Sequence, residues 1–188
     1  MCQYGISAPM QDAGQYPIFR MMNIIDARVV AGDIKYINLD NRTFEQYRLL
    51  PGDILFNRTN SPALVGKVGL YDMAGDHVFA SYLVRLRADI QLILPEYLNQ
   101  YLNSTRGQQL IRSYATFGVS QANINAANLK KVVLPLPPLA EQRTILNIVE
   151  SAGDAIQALR DRLNQTKQLT KILSSELLVA ANGAHLVV

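Results

Sequence analysis

The 188-residue chain is 49% hydrophobic and 18% charged, which gives enough apolar content for a core and excludes wholesale disorder. Its single cysteine, Cys2, excludes an internal disulfide and a cysteine-built metal site, and fits a reducing cytoplasm. No run approaches the roughly 18 apolar residues of a membrane span, and the N-terminus has no basic segment leading into an apolar one, so neither a span nor a signal peptide is expected.

In chain order, β-branched and aromatic runs at 34–39, 53–56, 65–71, 78–86 and 129–134 predict strands. Pro51-Gly52-Asp53 and Ala74-Gly75-Asp76 supply turns between them. Within 95–112, Tyr97, Leu98, Tyr101, Leu102, Leu110 and Ile111 recur at helical spacing, predicting one amphipathic helix packed on the sheet. The strands lie too close together for a βαβ repeat, so residues 1–134 read as an α+β domain of short strands and a packed helix.

Residues 135–138, inside Leu134-Pro135-Leu136-Pro137-Pro138, form a stiff connector, because three prolines in four positions cannot occupy a helix interior. Residues 139–188 then read as a long helix and a short tail, with Glu141 in the opening turn and Asn182-Gly183 as the stop. A 4–3 ladder runs through Ile145, Val149, Ala152, Ile156, Leu159, Leu163, Thr166, Thr170, Leu173 and Leu177. That pattern predicts a coiled-coil seam on a projecting helix that must find another helix. Two shorter helices folded back at Gly153 or Asn164 are the competing reading.

The net charge is +3. Residues 1–138 hold 13 Lys and Arg against 10 Asp and Glu, whereas residues 139–188 hold five of each, so the basic excess lies on the globular part. This favours a polyanionic partner only weakly. No catalytic constellation is found: His77 and His185 are far apart, and no phosphate-cradling or nucleophile-elbow motif occurs. His77 reads as a strand-edge histidine and Asp53 as a turn-capping carboxylate. No enzyme activity, metal or cofactor is therefore expected.

What remains is polar loop chemistry. Asn57-Arg58-Thr59-Asn60-Ser61 and Gly118-Val119-Ser120-Gln121-Ala122-Asn123-Ile124-Asn125 carry the side chains that read base edges and phosphates. Arg85 and Arg87 alternate on one strand face, and Lys130 and Lys131 open the last predicted strand. For Asn57 and Asn123, bonding to their own backbone is an equal alternative.

Several strings resemble one family. Gly52-Asp53-Ile54-Leu55-Phe56-Asn57-Arg58-Thr59-Asn60-Ser61, followed by Leu64-Val65-Gly66-Lys67, resembles the target recognition domain of type I restriction-modification specificity subunits. So does the 118–125 string. Leu136-Pro137-Pro138-Leu139-Ala140-Glu141-Gln142-Arg143 leading into a long helix is the most specific match, and Tyr4-Gly5-Ile6-Ser7-Ala8-Pro9 and Tyr16-Pro17-Ile18 agree.

The resemblance implies a subunit with two recognition domains, each reading half of a bipartite duplex site, spaced by two antiparallel helices. Modification (methyltransferase) subunits, which bring the S-adenosylmethionine site, dock on it, and restriction subunits join through them. The specificity subunit itself supplies no chemistry. With one recognition domain and one helix, this chain reads as a half-length form expected to pair with itself through Ile145, Val149, Ile156, Leu159, Leu163, Leu173 and Leu177. The shared strings nominate Arg58, Asn60, Lys67, Gln121 and Asn123 for DNA contact. The variable stretches 12–15, 27–45 and 71–77 nominate Arg28, Lys35 and Arg42 for specificity. The alternative function is a coiled-coil assembly fragment that no longer binds DNA; a catalytic restriction-modification enzyme ranks third, since the adenine-methyltransferase tetrapeptide Asn-Pro-Pro-Tyr is absent.

Overall fold

The computed structural model describes residues 1–61, 65–118 and 121–182. Leu64, Val119, Ser120 and Gly183 of the strings above, with the tail after it, lie outside the described residues. Two compact units are formed, Met1–Arg143 and Thr144–Val188.

The first unit is mixed α and β. Its strands are β1 (Cys2–Tyr4), β2 (Tyr16–Phe19), β3 (Ile24–Ile25), β4 (Arg28–Val29), β5 (Lys35–Ile37), β6 (Ile54–Asn57), β7 (Thr59–Asn60), β8 (Val68–Leu70), β9 (Val78–Phe79), β10 (Leu83–Leu86), β11 (Thr116–Phe117) and β12 (Ala122–Asn123). Its helices are α1 (Asn41–Tyr47), α2 (Pro95–Asn103), α3 (Thr105–Ser113) and α4 (Ala126–Leu129). Six strands form the main sheet in the order β1-β10-β6-β8-β4-β3, flanked by two three-stranded sheets, β5-β2-β9 and β11-β12-β7.

Strand β6 shows why the sheet sits at the centre. All four of its residues are buried. Successive side chains of a strand point to opposite faces. Ile54 and Phe56 enter one cluster with Leu102 of α2 and Ile111 of α3, while Leu55 enters another with Phe19, Tyr71 and Phe79. Covered on both faces, the strand reads as a continuous apolar run rather than an alternating one.

Three expectations change in the structure. The predicted helix 95–112 is two helices, broken where the Ser104 side chain accepts a hydrogen bond from Gly107 N at 3.1 Å and caps α3. A Cβ on Gly107 would stand 2.1 Å from the Tyr101 carbonyl, so the tight junction admits no side chain there. The predicted strand 129–134 is not a strand. The Asn125 side chain caps α4 by accepting from Asn128 N at 2.7 Å, and the chain from Lys130 to the prolines turns through Lys131 N to Asn128 O and is tied by the Tyr101 hydroxyl to Val133 O. Lys130 and Lys131 therefore follow a helix. Finally, 78–86 is divided at Ala80–Tyr82, where Ser81 N turns to donate to Ile6 O at 2.8 Å.

His77 packs 5.2 Å from the Phe19 ring, and its Nδ1 lies 2.8 Å from the Tyr71 hydroxyl. Burial holds its imidazole pKa below the usual 6.5, against the opposing pull of Asp76. The folded state thus takes up the proton less readily than the unfolded chain. Stability is full above about pH 6.5 and is lost as the pH falls below it. Thermal melts at about pH 7.5 and 5.5 should give the lower midpoint at 5.5, and His77→Gln should narrow the gap. An equal gap in the variant would remove His77 as its cause.

The first unit extends through the opening turn of the long helix α5 (Leu139–Asn182). Gln142 is fully buried there. Its Oε1 accepts from Leu94 N at 2.8 Å, and its Nε2 donates to Leu92 O at 3.0 Å and Pro137 O at 2.8 Å. Of the two readings of the C-terminal segment, the single helix is the one observed. Its 44 residues span roughly 66 Å. Among the described residues no helix is long and apolar enough to cross a membrane.

Candidate nucleic-acid interface

The two polar strings, some sixty residues apart in sequence, are strand partners. In the sheet β11-β12-β7, Asn123 pairs with Thr59 and Ala122 with Asn60, and Ile124 N donates to Arg58 O at 2.8 Å. Ala122 and Ile124 point into the core cluster beside Ile54 and Phe56, and the intervening Asn123 therefore points the other way. Gly118 N donates to Gln121 O at 2.7 Å, and Gln121 is exposed.

Arg58 is the organising residue of this sheet. Its guanidinium lies over the Tyr4 ring, 4.9 Å from the centroid. Nη1 donates to Ser81 O at 3.3 Å and Nη2 to Asn123 Oδ1 at 3.5 Å, the second at the limit of a hydrogen bond. A charge set on an aromatic face and tied to two strands is held at low conformational cost, as a pre-organised contact requires. Asn123, with its oxygen facing Arg58, has its amide NH2 left to donate.

The other candidates divide. Asn60 is engaged within the chain: its Oδ1 accepts from Ser61 N at 2.8 Å and its Nδ2 lies 3.3 Å from Met21 Sδ. Lys67 is exposed one residue before β8 of the main sheet, and its carbonyl accepts from the backbone N of Asn57, the residue before Arg58. Arg28 is exposed on β4 opposite Leu70. Arg42 is exposed on α1, and Lys35 is paired with Asp12. These last three lie on other elements and are not brought to the Arg58 cluster.

Arg85 and Arg87 do not form a reading face. Arg87 grips both carboxylate oxygens of the buried Asp53 at 2.6 Å, and Arg85, almost wholly buried, lies 3.9 Å from Oδ2. The Asp53 side chain also accepts from Leu50 N at 2.8 Å, so the turn cap is present together with an ion pair. Sequence reasoning passed over Tyr4, Tyr82 and Phe117, three exposed aromatics on or beside this sheet. Phe117 adjoins the 118–125 string, whereas Tyr4 and Tyr82 come beside Arg58 only through the fold.

A family model described as "Type I restriction modification DNA specificity domain" matches residues 6–168. The chain belongs to that family. The type I specificity-domain chain is 29% identical over 172 residues to a subunit assigned to restriction enzyme MjaX of Methanocaldococcus jannaschii, covering 90% of this chain and 40% of the relative. It is 28% identical to the StySPI specificity subunit of Salmonella potsdam, covering 90% and 37%, and 25% identical to the EcoKI specificity subunit of Escherichia coli, covering 94% and 39%. It thus spans about two fifths of the length of these relatives. Two solved structures share its fold. One, from work on complex assembly and conformational transition of the type I R-M system, has a TM-score of 0.69 at 24% identity and covers 96% of this chain and 42% of that one. The HsdS subunit from Thermoanaerobacter tengcongensis gives 0.67 at 17%, covering 90% and 45%.

Proposed function

We propose that this specificity-domain chain reads one half of a bipartite duplex DNA site through the Arg58–Asn123 sheet, working in the cytoplasm without catalytic chemistry of its own. The observation that carries this reading is the pairing of two distant polar strings, which brings Arg58, Gln121 and Asn123 together. Arg and Asn are the side chains suited to guanine and adenine edges. Modification subunits dock on the chain, restriction subunits join through them, and a second copy pairs along α5 to supply the other half-site.

A gel-shift on a randomised duplex pool, at several salt concentrations, tests the reading. Affinity should fall steeply as salt rises, because neutralising phosphates releases counterions. Arg58→Ala should cost about 1–3 kcal/mol and relax preference at one base pair if Arg58 reads a guanine. A loss spread evenly over all sequences, with a shallower salt slope, would assign it to phosphate. Absent binding by the parent chain would instead favour the assembly-fragment reading.

A further inference from the structure

Beside Arg58 the surface changes chemistry. Ala8, Met10, Arg20, Met21, Met22 and Tyr82 line an open cleft of about 310 Å³. Met22 is 54% exposed and Tyr82 46%, so two large apolar side chains are left facing solvent there. We propose that this cleft receives the 5-methyl group of a thymine in the half-site, close to the base pair that Arg58 reads. The proposal rests on the DNA reading above and adds a second specificity contact to it.

Both walls of the cleft are held in place. Met21 and Met22 sit on a single 3-10 turn, Met21–Asn23, whose last residue is buried. Asn23 Oδ1 accepts from Arg20 N at 2.9 Å, and its Nδ2 donates to Val30 O at 3.2 Å. Tyr82 stands in the turn that Leu83 N closes by donating to Ala80 O at 2.9 Å.

That turn is also stitched to the Arg58 strand. Arg58 N donates to Tyr82 O at 3.1 Å, and Arg58 Nη1 to Ser81 O at 3.3 Å. On the other wall, Asn60 Nδ2 lies 3.3 Å from Met21 Sδ. One residue's step of about 3.8 Å separates Ser81, which the guanidinium touches, from Tyr82, which lines the cleft. A ligand edge that reaches Arg58 therefore passes the mouth of the cleft.

The lining decides what fits. Arg20 Nη2 donates to Asp33 O at 2.8 Å and to Asp33 Oδ2 at 2.9 Å, so its charge is matched within the chain rather than offered to phosphate. The other walls are methyl, thioether and ring surface. In the major groove the base pairs present donors and acceptors, and the 5-methyl of thymine is the apolar group among them. An apolar cleft beside a base-reading arginine thus matches thymine and leaves cytosine, with hydrogen at that position, without the contact. The cleft is larger than one methyl group, and methionine side chains are flexible enough to close the space around it.

Deoxyuridine differs from thymidine by that methyl alone, so the first arm of the test needs no change in the protein. In the duplex that the full chain selects, each thymine is replaced in turn by deoxyuridine. One position, within about three base pairs of the pair at which Arg58→Ala relaxes preference, should lose about three- to fivefold in affinity, the worth of one buried methyl group. The double variant Met22→Ala and Tyr82→Ala should bind the thymine and deoxyuridine duplexes alike while keeping the preference set by Arg58. A half-site with no thymine at that distance, or indifference to deoxyuridine at every position, overturns the proposal and leaves the DNA reading standing. Discrimination that survives in the double variant overturns it too, and would give the cleft to a protein partner. A parent chain that binds no duplex rejects the DNA reading, and the thymine contact with it.

Discussion

Replacing Asp53 by alanine should lower folding stability by about 3–5 kcal/mol, the usual cost of removing one partner of a buried ion pair. The side chains of Asp53 and Arg85 are 1% and 3% exposed, and that of Arg87 is 34% exposed. Burial pulls the Arg85 guanidinium pKa below its ordinary value, the neighbouring Arg87 pulls it further, and Asp53 opposes both. Without Asp53, two guanidiniums would face each other in the interior with no anion between them, and Leu50 N would lose its acceptor. Arg87→Ala should cost less, since its partner keeps Arg85 and the backbone donor while water reaches the vacated side. Urea unfolding of the three proteins decides the point. An Asp53→Ala cost under about 1 kcal/mol would show that Arg85 is held by its other contacts, the carbonyls of Arg48 and Gln46 and the Gln3 side chain.

The double substitution Ile156→Asp and Leu163→Asp should abolish self-association at tens of micromolar. Each rung is worth roughly 1.5–3 kcal/mol on burial, and a dimer would lose four of them, about 6–12 kcal/mol before charge repulsion is counted. At 1.4 kcal/mol per factor of ten in affinity, that is a loss of at least a thousandfold. Asn164→Asp adds a charge one residue away from the seam, where the side chain stays in solvent, and should leave the dimer intact. Light scattering on all three distinguishes a seam effect from a general effect of acidity. Parent and double variant behaving alike would remove the helix from the assembly.

The legible parts of the fold were those whose cause is local. The 53–56, 65–71 and 34–39 runs contain strands because their β-branched and aromatic residues are covered in place, and α5 follows from an unbroken ladder with proline on one side of it. The β3–β4 hairpin gave no signal, because its turn uses Asp26 and Ala27 at φ 47° and 61° where glycine or asparagine would have announced a left-handed turn. The break at Ser104 is hidden by the apolar spacing on both sides of it, which continues across the cap. The alternation of Arg85 and Arg87 gives no hint of their burial, because their counter-ion Asp53 stands more than thirty residues earlier, a relation that only folding creates. The candidate site shares that limit: each string was chemically suggestive, and their pairing was invisible.

That pairing carries a consequence for order of assembly. Strands β7 and β12 are two residues each and close a loop of about sixty residues, so each contributes few bonds against a large closure entropy. The pairing should therefore form after β6 and the helices have fixed the ends of the loop, and should be the first to part when the protein breathes. In hydrogen exchange, the amide of Ile124 should exchange well before those of Leu55 and Phe56, although Ile124 is just as buried. The surface proposed here to meet DNA would then be the softest stitched edge of an otherwise firm body, able to be tightened by whatever it binds.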